Sequence, residues 1–189
     1  MNKKVDYLEK NLSRINKALI DSLPKKNFSE ITEAIHYSVM NGGKRMRPQL
    51  MLLMAESLKV EVKNKTIDLM AAAGELIHCY SLIHDDLPAM DDDDFRRGKP
   101  SCHKKFSEAV AILAGDAIQP LSLEILTSIK DENLSASSKC EIINIFARAC
   151  GPKGMVEGQN LDIKAEGKKL SEKDLDKLHY LKTGKLIEA

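Results

Sequence analysis

HDDLPAMDDDDFRRG, residues 84–98, comes directly after NKTIDLMAAAGELIHCYSLI, residues 64–83. The leading stretch reads as one long apolar helix, with alanines and Gly74 that allow a neighbouring helix to come close. Pro88 interrupts the helix beyond it, because it lacks a backbone donor and its ring clashes with the preceding turn. On an unbroken helix Asp85 and Asp91, six positions apart, would stand roughly 240° apart around the axis. A chain that opens at Pro88 instead carries Asp91 back beside Asp85. The spacing thus predicts a helix whose end delivers two carboxylates to one place.

Asp85, Asp86, Asp91, Asp92, Asp93 and Asp94 crowd this segment, and Arg96 and Arg97 come at once after them. Clustered carboxylates repel one another unless water or cations separate them. An acidic run is ordinarily a solvated loop. This one is split by Leu-Pro-Ala-Met, emerges from an apolar helix and ends in Arg-Arg-Gly. An EF-hand is excluded, since Phe95 stands where the loop glycine belongs. Hard oxygen ligands suit Mg²⁺, which shares its shell among a few carboxylates, waters and phosphates. Guanidinium binds phosphate bidentately. Together the two residue types point to a site for a metal-complexed diphosphate.

The rest of the composition agrees with helices. The chain has 189 residues, enough for one domain with a sizeable core. Trp is absent and aromatics make up only 4%, while Leu, Ile, Ala and Met abound, which favours packed helices over sheets. Residues 1–189 are expected to form a single all-α domain. A formal net charge of +1 argues against general nucleic-acid binding. The four cysteines form no CxxC pair, consistent with a reduced, cytoplasmic setting. The opening MNKKVDYLEK lacks the apolar segment of a signal peptide. No uninterrupted apolar run is expected to reach membrane-spanning length.

Outward from the aspartates, Val5, Leu8, Leu12, Ile15 and Leu19 have the spacing of an amphipathic helix over residues 3–20. Ser29 is placed to cap a second helix with Ile31, Ala34, Ile35, Ser38 and Val39 on one side, closed by Asn41-Gly42-Gly43. GGKRMRP, residues 42–48, sets Lys44, Arg45 and Arg47 at a helix start. Cations there oppose the helix dipole. The segment is therefore either an anion site of amides and cations or a solvated basic turn. Residues 49–58 read as a buried helix with methionine as core filler. His78 lies two turns before Asp85, so imidazole and carboxylate line one wall, or His78 is a satisfied structural residue. Further helices are expected over 107–128 and 138–150, separated by a polar loop at 131–138, with a last one opened by Ser171 and Asp174.

GGKRMRP, CYSLIHDDLPAMDDDDFRRGKPSCHKKF, AILAGDAIQ, GMVEGQNLD and HYLKTGKLIEA, in this order, resemble the short-chain prenyl diphosphate synthases, most closely the bacterial farnesyl type. The resemblance runs from about residue 30 to the last residue. It implies the antiparallel all-α bundle of the isoprenoid synthases, of which this chain matches the N-terminal portion. It also implies Mg²⁺-dependent condensation of isopentenyl diphosphate with dimethylallyl or geranyl diphosphate, in a cytoplasmic homodimer without nucleic-acid or membrane partners. By resemblance Asp85 and Asp91 ligate Mg²⁺, supported by Asp86. Arg96 contacts the allylic diphosphate. Arg97, Lys44, Arg47 and His78 cradle isopentenyl diphosphate. Lys182 and Thr183 lie near the departing diphosphate, and Gln159 and Asp162 line the same cavity; Gln159 also reads simply as a polar residue on a helix surface.

In this family the residues just upstream of the first metal motif form a floor under the growing chain. Tyr80 and Ser81 hold those positions. Five residues of helix rise ~7.5 Å, a depth at which a bulky ring at Tyr80 can stop a lengthening tail. An aromatic there, with the two-residue insert, resembles the farnesyl-type rather than the geranylgeranyl-type synthases, which implies a fifteen-carbon product; the other reading of Tyr80 is an ordinary core aromatic. One departure matters. The family carries a second aspartate-rich motif roughly sixty residues beyond LKTG, whereas this sequence runs to Ala189, so residues 1–189 alone are expected to be inactive. Three further readings remain: a geranylgeranyl diphosphate synthase of the same family, a terpene cyclase, and a non-catalytic helical partner of an active synthase. The basic turn and Arg96-Arg97 speak against the cyclase by implying a second diphosphate.

Overall fold

The computed structural model describes the backbone of residues 3–189 and the side chains from Tyr7 onward. Val5, the first position of the predicted apolar series, lies outside the described side chains. The described residues fall into two compact units, one reaching to Leu134 and the other Ser135–Ala189.

The first unit begins with α1 (Lys3–Ser22) and a short 3₁₀ turn (Lys26–Phe28), then α2 (Glu30–Val39), α3 (Met46–Ser57) and α4 (Asn64–Asp85). A two-stranded hairpin comes next, β1 (Phe95–Arg96) and β2 (Lys99–Pro100), then the single turn α5 (Cys102–Lys105) and α6 (Glu108–Ser128). Local signals set several boundaries. The Ser29 side chain accepts from the Thr32 amide while Thr32 answers the Ser29 amide, a reciprocal cap. Ser107 caps α6 by accepting from the Val110 amide.

α4 is the central helix, packed on α6 and also on α3 and α1. Its middle, from Ala71 to Ile77, is buried throughout. Its C-terminal His84 reaches the start of α6, where Nε2 is 3.1 Å from the Ile112 carbonyl. Its N-terminal end meets the chain just past α6: Asp131 accepts from the Lys63 amide at 2.8 Å and from the Thr66 hydroxyl at 2.5 Å. α4 and α6 are therefore antiparallel. Those same bonds hold the Asp131 carboxyl below the usual carboxylate range, Thr66 first and the Lys63 amide second. The expected polar loop at 131–138 thus contains a buried long-range helix cap, and the helix expected from Ser138 begins at Ala136 with Ser135 as its cap.

Three expectations need correction. α3 is not a buried helix: of its apolar side chains Leu52 is buried, while Met46, Leu50 and Met54 are exposed along one face. Leu8 of α1 is likewise exposed, although Ile15 and Leu19 are core residues. α6, with 21 residues and a mean hydropathy of 1.5, is long and apolar enough to cross a membrane. The fold uses it in the core, with Ala111, Ala114, Gly115 and Ile118 buried.

The second unit comprises α7 (Ala136–Cys150), α8 (Met155–Ala165), α9 (Glu172–His179), a π-helical turn (Tyr180–Gly184) and α10 (Lys185–Glu188). Ser171 caps α9 through the Asp174 amide, as the sequence predicts.

Candidate active site

Pro88 acts as the spacing requires. α4 ends at Asp85, and the chain turns through residues 86–91. The Asp91 amide then donates to the Asp85 carbonyl at 2.8 Å, and the Asp92 amide to the Leu87 carbonyl at 3.1 Å. The six-residue excursion closes on itself and returns Asp91 to the end of the helix. Asp85 is half-buried and Asp91 exposed. Their backbone proximity and all-oxygen chemistry fit a hard divalent ion.

Asp86 points elsewhere. It is 2% exposed, and its Oδ1 accepts from Arg96 Nε at 2.9 Å and also from Arg96 Nη2. Arg96 Nη2 reaches Asp93 as well, at 2.9 Å. Burial pushes the Asp86 carboxyl above the usual range against the pull of Arg96. Asp86 thus anchors Arg96 and stands apart from the exposed carboxylates.

The hairpin brings the two basic segments together. Arg97 and Gly98, its two turn residues, both have positive φ, 55° and 77°, as tight two-residue hairpins require. The Arg97 side chain folds back onto the glycine turn and donates to the Gly42 carbonyl. A Cβ at Gly43 would lie 2.5 Å from the Arg97 guanidinium carbon, so only glycine admits this approach. Asn41, buried, fastens the same turn by donating to the Arg96 carbonyl at 2.9 Å. The paired glycines signal a turn in the sequence, but nothing near Asn41 or Gly43 signals their contact with the arginines.

Of the three cations in GGKRMRP, Arg45 is not available to a ligand. It is 2% exposed and pairs with buried Glu75 at 2.8 Å. Lys44 is exposed, and Arg47 is half-buried with its Nε lacking a hydrogen-bond partner among the described residues. The basic turn therefore divides into one structural arginine and two cations suited to an anion. His78 shares this environment. Burial first, then Arg47, Arg97, Arg45 and Arg96, push its imidazole down to about 3. The ring is neutral near pH 7 and adds hydrogen bonding without a further charge. Because the folded value lies below the unfolded one of ~6.5, stability is greatest above pH 6.5 and falls as pH drops from there toward 3. The expected slope from this group is at most ~1.4 kcal/mol per pH unit. Urea melts of the parent and of His78→Asn across that window should differ by this slope; parallel pH profiles would exclude it.

Tyr80 is 5% exposed and meets His84 edge-on, ring centroids 5.9 Å apart. Ser81 donates to the His78 carbonyl at 2.9 Å. His84, also facing Asp116 at 3.9 Å, ties the Tyr80 ring to α6; its place in the aspartate motif is the only sequence signal for it.

The second unit holds its own polar group. Lys182 and Thr183 lie in the π-helical turn, a form that often marks functional sites. Lys182 pairs with Asp162 of α8. Gln159 is buried, with both amide atoms lacking hydrogen-bond partners among the described residues, which is not the surface residue of its alternative reading. α8 approaches this turn at Gly158, where a Cβ would sit 2.7 Å from the Leu181 carbonyl carbon and closer still to the Lys182 backbone. Backbone atoms cannot swing away, so Gly158→Ala should destabilise the second unit by about 1–3 kcal/mol. Hydrogen exchange localised to α8 and the turn would measure this; unchanged protection would contradict it.

Similarity to known proteins is extensive. The Polyprenyl synthetase family model matches residues 28–189. A farnesyl diphosphate synthase of Haemophilus influenzae is 44% identical over 185 residues, covering 98% of this chain and 61% of that protein. One from Escherichia coli is 47% identical over 185 residues, covering 96% and 61%. A crystal structure of a geranyltransferase from Legionella pneumophila superposes with a TM-score of 0.90 at 44% identity, over 96% of this chain and 64% of the other. The chain thus spans less than two thirds of the length of these relatives. An isoprenoid synthase family member from Thermotoga neapolitana also matches, with a TM-score of 0.79 at 31% identity, in keeping with the all-α class. The chain belongs to the polyprenyl synthetase family.

Proposed function

We propose that this chain supplies the first metal motif and the isopentenyl diphosphate cradle of a prenyltransferase that makes farnesyl diphosphate. The carrying observation is the joining of two segments: Asp91 returns to Asp85, while the next residues of the same loop lock Arg97 onto the Gly42–Gly43 turn. One acidic and one basic locus suit two diphosphates, one metal-bound and one held by cations alone.

In this reading Asp85 and Asp91 hold Mg²⁺, which when bound neutralises charge developing on a leaving diphosphate. Arg96, steadied by Asp86, binds the allylic diphosphate. Lys44, Arg47, Arg97 and neutral His78 bind isopentenyl diphosphate. The allylic carbon–oxygen bond breaks, a carbon–carbon bond forms to the alkene of isopentenyl diphosphate, and one proton and one diphosphate are released. Apolar surroundings must keep water from the allylic cation. Tyr80, held edge-on by His84, is the proposed floor that limits the product to fifteen carbons. From the second unit we propose Lys182, Thr183 and Gln159 as ligand-binding residues on their own geometry. Exposed Ile112, Leu113 and Leu123 of α6 are the proposed homodimer surface.

Calorimetric titration of residues 1–189 tests the binding assignments. Geranyl diphosphate should bind only with Mg²⁺ present. Isopentenyl diphosphate should bind without it, and more weakly to Arg97→Ala. Absence of both ligands from the complex, or Mg²⁺-independent binding of both, would overturn the reading. Residues 1–189 alone should release little diphosphate, and brisk Mg²⁺-dependent turnover would reject the expectation that their half of the metal clamp is insufficient.

A further inference from the structure

We propose that Asp92, Asp94 and His103 form a second divalent-cation site, separate from Asp85 and Asp91, that takes a borderline ion of the Zn²⁺, Co²⁺ or Mn²⁺ class. One ligand atom from each of the three lies within 4.8 Å of the other two. The two carboxylates are exposed, and acidic residues in such a loop ordinarily face only water. His103 sets this group apart. It is 6% exposed, and its Nε2 is buried without a hydrogen-bond partner among the described residues. Leaving a buried polar nitrogen unpaired is costly, because it has lost its water without gaining a partner.

The other ring nitrogen is already held. Nδ1 lies 3.1 Å from Ser101 Oγ, and Ser101 is itself buried at 1% exposure. The Ser101 amide donates to the Asp94 carbonyl at 2.9 Å. A single buried serine thus orients the imidazole and fixes the backbone of one carboxylate. Such outer hydrogen bonds typically orient metal-bound histidines and fix their tautomer. Lys104 Nζ touches Asp94 Oδ1 at 2.8 Å, and a carboxylate has two oxygens to share between a lysine and an ion. The lysine–aspartate pair is exposed and holds Asp94 only weakly.

An imidazole with two carboxylates favours transition ions over Mg²⁺. Three protein ligands at ~2.0–2.2 Å would leave a fourth position for water. An ion there ties residues 92–94 to α5 across the base of the hairpin that carries Arg96 and Arg97. The site would act as a brace for that hairpin, whatever reaction the protein serves.

Co²⁺ is the probe, because its visible absorption reports low-coordinate binding, and equilibrium dialysis gives affinity. Asp92→Asn and Asp94→Asn, both at exposed positions, should each weaken Co²⁺ binding by at least about tenfold. His103→Asn should do the same. The double variant Asp85→Asn/Asp91→Asn should bind Co²⁺ at the remaining site with unchanged affinity, and excess Mg²⁺ should not displace it. Added Mn²⁺ should broaden the His103 ring resonances. Unchanged affinity in Asp92→Asn and Asp94→Asn, loss of the signal in Asp85→Asn/Asp91→Asn instead, or unaffected His103 resonances would overturn the proposal. Should His103→Asn fail to fold, the two exposed aspartate variants decide the question.

Discussion

Arg45→Met should cost the first unit about 3–5 kcal/mol, the penalty of leaving one member of a buried ion pair alone. The side chains of Arg45 and Glu75 are 1% and 2% exposed, so water cannot take over the lost contact. The guanidinium also ties α3 to three other helices. Nη1 bonds Glu75 of α4, Nη2 the last carbonyl of α2 at Val39, and Nε the Asn16 side chain of α1. Its own backbone, at φ 49°, is the residue that opens α3. Total stability of a domain is only about 5–15 kcal/mol, so this change takes a large share of it. Urea denaturation monitored by circular dichroism would measure the loss. The double change Arg45→Met/Glu75→Leu should recover most of it, since replacing both charges removes the unpaired ion. A loss below ~1 kcal/mol for the single variant would mean that the pair is screened by water despite its burial.

That arginine also shows where sequence reasoning stops. GGKRMRP announces a basic turn, but which of its cations is structural depends on Glu75, on another helix and far along the chain. Asp131 is similar: its neighbours describe a polar loop, while its role as a cap is set by Lys63 and Thr66 across the unit. Features determined within a few residues are legible. The Ser29, Ser107 and Ser171 caps arise from side-chain oxygens beside free amides. The return of Asp91 arises from a proline placed inside a run that must otherwise twist away. α3 misleads because its apolar content is visible but its face is not. Met46, Leu50 and Met54 share one stripe, and local periodicity alone does not say whether a stripe meets protein or solvent. The hairpin and the π-helical turn leave no mark in the sequence either. Two-residue strands carry no periodic signal, and the turn's close contact with Gly158 comes from another helix, distant in the sequence. At the candidate site, then, the residue types are readable, and the division of labour among Arg45, Arg47, Arg96 and Arg97 is not.

Asp85→Asn/Asp91→Asn should weaken Mg²⁺-dependent binding of geranyl diphosphate to residues 1–189 by about a hundredfold or more, roughly 3 kcal/mol. The variant keeps the shape of both side chains but removes two negative charges, so the site loses the attraction that draws a hard cation out of water. The helix end should survive, because its closing bond runs between the Asp91 amide and the Asp85 carbonyl and involves neither carboxylate. Unchanged circular dichroism would confirm that point. Isopentenyl diphosphate serves as the internal control. Its proposed contacts are Lys44, Arg47, Arg97 and His78, and its affinity should stay within about twofold, less than ~0.5 kcal/mol. Asp92→Asn should leave the Mg²⁺-dependent term nearly intact, since its carboxylate is directed to the His103 cluster. Calorimetry with and without Mg²⁺ reads all three outcomes. Equal loss of both diphosphates would point to a general collapse of the acidic loop. Retention of Mg²⁺-dependent geranyl diphosphate binding would remove Asp85 and Asp91 from the metal site, and with them the reason for the chain to double back at Pro88.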